Sequence, residues 1–261
     1  MTIIGYSERG AMNALFYGMA FKDDKEAMMK FFDLVGIDAD FSDYDFKIYN
    51  EFSLSEFGSP DLVILAEKEN EKVAFFVEAK ASCCKYYDIK EQEAQHNDYV
   101  SKGEHDDGHA SNLFFQLRLK NYFYQKFCER KNSDSVIINN DVNNRIRKTK
   151  GHDRGIGSNP IVQNFVKEFE GCKEVHYIAI IPEQSKAGIS NPDSTYEMKI
   201  HFITWEKIYE EFKNNDIFKD FQETIKFNQG IDPKIKSEER IKSQILNNPI
   251  PDEDFNQTTN P

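Results

Sequence analysis

Three charged residues stand at the ends of two strongly apolar segments. Asp61 follows Pro60 and precedes LVILA, while Glu78 and Lys80 follow KVAFFV. Runs of β-branched and aromatic residues are typical of strands, and the polar residues 69–71 between these two runs are typical of a turn. The sequence therefore predicts a β-hairpin with an aspartate at the start of one strand and Glu-Ala-Lys at the end of the other.

The register of this hairpin is predicted to bring the charged side chains together. If Glu67 pairs with Lys72, counting outward along both strands places Asp61 opposite Glu78. Side chains alternate along a strand, so Lys80 projects from the same face as Glu78. Both strands are apolar enough to be central and covered on both faces. Two acids and one amine are therefore expected at the edge of a buried sheet.

Charge in such a place is costly unless something compensates it, and a divalent cation is one solution. Mg²⁺ (or Mn²⁺) prefers oxygen ligands, which Asp61, Glu78 and the carbonyl of Ala79 could supply. The metal would activate a water molecule, and Lys80 would orient that nucleophile and stabilise charge on a phosphate. The structural alternative is that Asp61 caps a turn, while Glu78 and Lys80 form ordinary ion pairs on an edge strand.

Helical and strand patterns surround the hairpin. Between residues 7 and 35, apolar residues recur every three or four positions around an interruption at FKDDKEA, which predicts two amphipathic helices. Further patterns predict a strand before the hairpin, a long helix after it, and then a helix, two strands and a helix, in DFKIYNEFS, SNLFFQLRLKNYFYQKFCER, PIVQNFVKEFEG, EVHYIAIIP, MKIHFITW and EKIYEEFK. This order predicts the α/β (α+β) class with an antiparallel meander. Residues 1–246 are predicted to form one domain and residues 247–261 a disordered tail.

The composition limits the class of protein. Hydrophobic residues make up 39% of the chain and aromatic residues 13%, enough for a buried core, which excludes a disordered chain. No apolar stretch approaches the roughly 20 residues that span a bilayer, so we expect a soluble, cytoplasmic protein without a membrane partner. Cys83, Cys84, Cys128 and Cys172 contain no CxxC pair and are expected to be reduced thiols.

The net charge of −12 argues against a nucleic-acid partner, because proteins that hold phosphate backbones usually present a basic field. One basic segment, RIRKTKGHDR, lies within the polar residues 139–159, which predict a loop or flap. It could face phosphates through its cationic side chains Arg145, Arg147, Lys148, Lys150 and Arg154. The alternative is a solvated loop with ordinary surface charge.

A second polar stretch, EQEAQHNDYVSKGEHDDGHAS, contains His96, His105 and His109. Histidines and acids at this density could bind a transition metal. Its composition favours a solvated loop instead.

The residues Pro60, Asp61, Glu78, Ala79 and Lys80 resemble the signature of the PD-(D/E)xK nuclease superfamily, which includes restriction endonucleases, recombination exonucleases and defence nucleases. The resemblance implies a restriction-endonuclease-like mixed central sheet with an antiparallel meander, flanked by helices. It also implies a metal-dependent endonuclease acting on double-stranded DNA, in a prokaryotic or phage restriction or defence system. Cutting both strands of a duplex would favour a homo-oligomer with paired sites.

The resemblance extends to two helices. Members of the superfamily often add an acidic metal ligand from the helix before the meander, which Glu8 matches, although a glutamate at a helix start is also favoured by the helix dipole. Members related to the recombination exonucleases place a glutamine on the helix after the meander, which Gln116 matches. The tyrosine of their QxxxY pattern is replaced here by Lys120, and Tyr122 follows.

Other functions remain open on these residues. The same metal centre could serve an exonuclease or a nuclease acting on RNA. A catalytically silent scaffold or nucleic-acid-binding subunit that keeps the nuclease fold would suit the acidic net charge.

Overall fold

A computed structural model describes residues 3–5, 7–80, 89–102, 111–128, 156, 159–182 and 198–227. Most of the predicted flap at 139–159 and all of the predicted tail at 247–261 lie outside this range. The five basic residues proposed to contact phosphates lie outside it as well: Arg145, Arg147, Lys148, Lys150 and Arg154. Their role stays a prediction.

The centre of the fold is a mixed five-stranded sheet with strand order β1-β2-β3-β4-β5. The first three strands form an antiparallel meander, and β4 and β5 run parallel to β3. The mixed α/β class and the meander are thus confirmed. The strands are β1 Asp45–Asn50, β2 Leu62–Lys68, β3 Glu71–Ala79, β4 Glu174–Ile181 and β5 Ile200–Thr204.

Helices flank both faces of the sheet. Each predicted helix is present, and none of the helices in the described ranges is both long and apolar enough to cross a membrane. Short 3-10 helices occur at Ser55–Phe57 and Asp216–Phe218. The α-helices are α1 Ser7–Lys22, α2 Lys25–Val35, α3 Ile89–Lys102, α4 Leu113–Phe127, α5 Pro160–Glu168, α6 Trp205–Phe212 and α7 Lys219–Phe227.

Alternation along the strands divides the core into two layers. Leu62 and Ile64 of β2 belong to a cluster with α1, α2, α6 and α7, whereas Val63 and Leu65 belong to a cluster with α4 and α5. On β3, Phe76 packs in the α4 layer. Every second residue of a strand shares a face, so Glu78 and Lys80 are directed to the α4 side of the sheet.

The predicted hairpin register is confirmed. Glu67 pairs with Lys72, and the pairing continues to Leu62 opposite Val77. Local features are sufficient to fix this register, because two apolar strands meet at a short polar turn and a slip of one residue would turn buried side chains toward water.

The predicted solvated loop around His96 is wrong for residues 91–102, which belong to α3. His96 is buried, and so is Gln92. Gln92 accepts hydrogen bonds from Leu113 N and, through its backbone carbonyl, from Asn112 Nδ2. These long-range bonds satisfy polar groups that composition alone would assign to the surface. His105 and His109 lie outside the described ranges.

Candidate active site at the end of the hairpin

Asp61 occupies the position directly before β2, at the end of the hairpin away from its turn. Its Oδ2 accepts a hydrogen bond of 2.9 Å from the backbone N–H of Ala79. Its own carbonyl accepts one of 3.3 Å from Glu51 N. The Asp61 carboxylate is therefore held against the end of β3, beside Glu78.

Glu78 is fully buried and faces a buried lysine. Lys120 Nζ lies 3.0 Å from Glu78 Oε1, and the two side chains are 1% and 0% exposed. The contact is an ion pair rather than a well-formed hydrogen bond, and Oε2 has no hydrogen-bond partner in the described part of the chain. A carboxylate that has left water thus retains one oxygen without a partner.

The surroundings of Glu78 shift its acidity. Burial raises the pKa of Glu78 to about 7; the charge of Lys120 opposes this shift, Asp61 adds to it, and Lys80 again opposes it. The pair with Lys120 therefore compensates only part of the desolvation of Glu78.

Lys80 is fixed through both its backbone and its side chain. Its N–H donates to Ile180 O at 2.9 Å, and its carbonyl accepts from the indole Nε1 of Trp205 at 3.0 Å. Its Nζ donates to Gln116 Oε1 at 2.7 Å. An ammonium has three N–H donors, so two of them remain after the bond to Gln116.

Helix α4 carries the two side chains that contact Glu78 and Lys80 at the end of β3. Gln116 and Lys120 are four positions apart, which places them on one face of the helix. Asn112 caps the start of α4 by accepting hydrogen bonds from Phe114 N and Phe115 N. One helix face thus contacts Lys80 and Glu78 together.

Gly58 closes the site next to Lys120. Its backbone has φ +77° and ψ −177°, a region essentially restricted to glycine. A Cβ at this position would lie 3.2 Å from Lys120 Nζ. The backbone conformation of the loop before Asp61 therefore requires glycine, and a Cβ there would also crowd the Lys120 ammonium.

Sequence reasoning anticipated Asp61, Glu78, Lys80 and Gln116, and the structure brings these four residues to one end of the hairpin. It missed Lys120, Trp205 and Gly58 as parts of the site. For Lys120, the available signal was its position four residues after Gln116, where the QxxxY pattern has its tyrosine.

The metal ligands proposed from sequence are brought together only in part. Asp61 and Glu78 meet, whereas Glu8 lies on α1, which packs on the opposite face of the sheet from α4. Within the described ranges, no three or more Asp, Glu, His or Cys side chains are grouped closely enough to hold a metal ion. Two carboxylates and a backbone carbonyl still suit Mg²⁺, which keeps several waters, and the buried Glu78 Oε2 lacks a partner. The residues present therefore fit such an ion.

Comparisons of this chain with protein-family models, with curated proteins and with solved structures give no match. Any functional assignment therefore rests on the residues and the geometry described above.

Proposed function

We propose that this protein is a Mg²⁺- or Mn²⁺-dependent nuclease of the PD-(D/E)xK kind with a restriction-endonuclease-like fold, and that it hydrolyses phosphodiester bonds in DNA. One observation carries the proposal: Asp61, Glu78 and Lys80 converge at the end of a buried hairpin, with a Glu78 oxygen left without a partner. Charged side chains collected at such a place are more typical of a reaction centre than of a stabilising ion-pair network.

The side chains divide the chemistry between them. Asp61, Glu78 and the carbonyl of Ala79 would hold the metal ion, which when bound lowers the pKa of a water ligand and neutralises charge on a phosphate. Gln116 orients Lys80 by accepting one of its N–H groups at 2.7 Å. The two remaining N–H donors of Lys80 can bind the attacking water and a phosphate oxygen.

A second function is favoured by a different observation. The Lys120 ammonium already places a positive charge 3.0 Å from Glu78, so the buried carboxylate is partly compensated without any metal. A nuclease-like scaffold that has lost catalysis would have this arrangement. Metal binding separates the two candidates, because the scaffold has no need of an ion.

Cleavage of supercoiled plasmid in Mg²⁺ or Mn²⁺ tests the proposal. We expect Asp61→Asn, Glu78→Gln and Lys80→Met to lose at least about 100-fold in rate, the usual scale for removing a catalytic group. Glu71→Gln and Lys68→Met are matched controls at the turn of the same hairpin, and we expect them to cut like the wild type. All variants are first confirmed to be folded by circular dichroism.

The outcomes of this experiment are distinct. Loss in the three site variants alone supports the reaction centre, and equal cutting by every variant contradicts it. A wild type that binds no metal and cuts no substrate supports the silent scaffold. Linear DNA and single-stranded RNA, tested in parallel, separate an endonuclease from an exonuclease and a deoxyribonuclease from a ribonuclease.

The basic segment is tested separately. If Arg145, Arg147 and Lys148 contact phosphates, replacing them with glutamine weakens DNA binding and flattens its dependence on salt. Unchanged binding would remove the segment from the proposed interface.

A further inference from the structure

The pair formed by Glu78 and Lys120 differs from the other ion pairs between described residues. Both of its side chains are almost completely buried, whereas every other pair includes a side chain at least one-fifth exposed. A lysine in such a place gives up its hydration, which is justified only by a specific partner. Lys120 is therefore a fixed part of the site.

The carboxylate oxygens at the site are divided between two kinds of partner. Glu78 Oε1 faces the Lys120 ammonium, and Asp61 Oδ2 accepts from Ala79 N. Glu78 Oε2 has no hydrogen-bond partner among the described residues, and the Asp61 carboxylate accepts a single bond from them, at Oδ2. Oε2, the Asp61 carboxylate and a backbone carbonyl make a ligand set for one ion, with water completing its coordination.

The space around Lys120 Nζ is closed. The ammonium lies against the Gly58 backbone, so closely that an added Cβ would stand 3.2 Å away, and the side chain is 1% exposed. In two-metal sites the cations lie roughly 3.5–4 Å apart, and a carboxylate can bridge them with its two oxygens. In this site the Lys120 ammonium already occupies the position beside Glu78 Oε1, where a second cation would bind.

We infer that Lys120 takes the place of a second divalent ion, so that the site binds a single metal ion and Glu78 bridges that ion and the ammonium. This inference rests on the proposed metal-dependent function. Lys120 is then a positioning residue: it holds Glu78 so that Oε2 is presented to the ion. A one-ion site follows from the charge already present, because a second divalent cation beside the ammonium would be repelled at short range.

Counting bound Mn²⁺ tests the inference without any measurement of activity. Free Mn²⁺ is quantified by electron paramagnetic resonance during titration, and the fluorescence of Trp205, the only tryptophan, reports binding because its indole contacts the Lys80 carbonyl. We expect one ion per wild-type chain. We expect two in Lys120→Ala, which removes the charge and opens the volume beside Oε1, and one in Lys126→Ala, a matched control on the same helix.

Each outcome decides between the proposals. Two ions in the wild type, or a single ion in Lys120→Ala, would overturn the inference and leave the nuclease proposal standing. No ion in the wild type would overturn both. If Lys120→Ala does not fold even in Mn²⁺, the saturated wild type decides: an uncoupled Mn²⁺ spectrum supports the inference, and a spin-coupled pair of ions contradicts it.

Discussion

The two ends of the hairpin formed by β2 and β3 carry the same residue types in different surroundings. At the turn end, Glu67 lies 3.0 Å from Lys47 and 2.9 Å from Lys72, and its side chain is 27% exposed. At the site end, Glu78 has one ammonium, that of Lys120, at a similar distance and no exposure. Two carboxylates of the same hairpin therefore have different surroundings. Glu67 is partly exposed to water and pairs with two lysines, whereas Glu78 is buried and pairs with one.

The two carboxylates shift in opposite directions. Burial alone would raise the pKa of Glu67, but hydrogen bonds from Lys72 and Lys47 outweigh it and lower that pKa. Burial prevails at Glu78 and raises its pKa to about 7 in spite of Lys120. Ion pairing thus outweighs burial at Glu67, whereas burial outweighs ion pairing at Glu78.

The largest expected difference between the two ends is in the free energy of unfolding that is lost when Lys120 or Lys72 is replaced. In metal-free protein at pH 8, we expect Lys120→Met to lower the free energy of unfolding by about 3–5 kcal/mol, because it leaves a buried carboxylate without a partner. Lys72→Met at the partly exposed end, where Glu67 keeps Lys47 as a partner, is expected to cost about 1 kcal/mol. Urea unfolding measures both, and equal losses would contradict the contrast between the two ends.

The dependence of stability on pH should have opposite signs at the two ends. Glu78 binds its proton more tightly in the folded state than at its ordinary value of 4.5, so its contribution is complete below pH 4.5 and disappears as pH rises toward 7. The loss amounts to about 3 kcal/mol. Glu67, with its lowered pKa, contributes stability above its unfolded pKa that is lost as pH falls.

Urea unfolding at a series of pH values in a chelator tests this expectation. Glu78→Gln should become more stable relative to the wild type as pH rises from 4.5 to 7. Glu67→Gln should differ from the wild type by a constant amount in that range and gain stability relative to it only as pH falls below 4.5. A Glu78→Gln variant with the pH profile of the wild type would refute the raised pKa.

Glycine substitution tests how tightly the site end is built. We expect Gly58→Ala to cost about 1–3 kcal/mol and to weaken Mn²⁺ binding, because its φ of +77° is strained for alanine and the new Cβ presses on Lys120. Gly36→Ala has nearly the same φ, +78°, but its Cβ meets nothing within 4 Å. It should lose about 1 kcal/mol of stability with unchanged metal affinity, measured by unfolding and titration.

The smallest expected difference between the two ends is in how far salt weakens the coupling energy of their ion pairs. A double-mutant cycle between Lys47 and Glu67 is expected to give a coupling energy below about 1 kcal/mol at low salt, and less in 1 M NaCl, because exposed charges are screened. The cycle between Lys120 and Glu78 should be almost independent of salt. Equal salt sensitivity at both ends would show that water reaches the buried pair.

The half of the site on the hairpin was predictable because local patterns determine it. Apolar strands and a polar turn fix the pairing of Glu67 with Lys72, and that pairing places Asp61 beside Glu78. The position of Lys80 follows from alternation along β3. Gln116 was predicted from the family resemblance, and its contact with Lys80 gives it a physical role.

The positions of Lys120 and Trp205 in the site depend on tertiary packing, which local sequence patterns do not determine. Lys120 lies in a helix where a lysine is ordinarily expected at the surface, and only the burial of Glu78 gives it a reason to be inside. The bond from Trp205 Nε1 to Lys80 O joins distant parts of the chain and requires β4 and β5 to be in place. Helix α3 was missed because its buried Gln92 is satisfied by distant partners, which local composition does not indicate.

The pairing of β3 with two very different neighbours sets an order for folding. Its partner β2 precedes it by a single short turn, whereas Val73 pairs with Glu174, about a hundred residues later in the chain. Hairpins close within roughly microseconds, and distant parallel strands pair more slowly because a long loop must be closed first. A folding chain can therefore place its two carboxylates side by side before β4 and Trp205 arrive to fix Lys80 next to them.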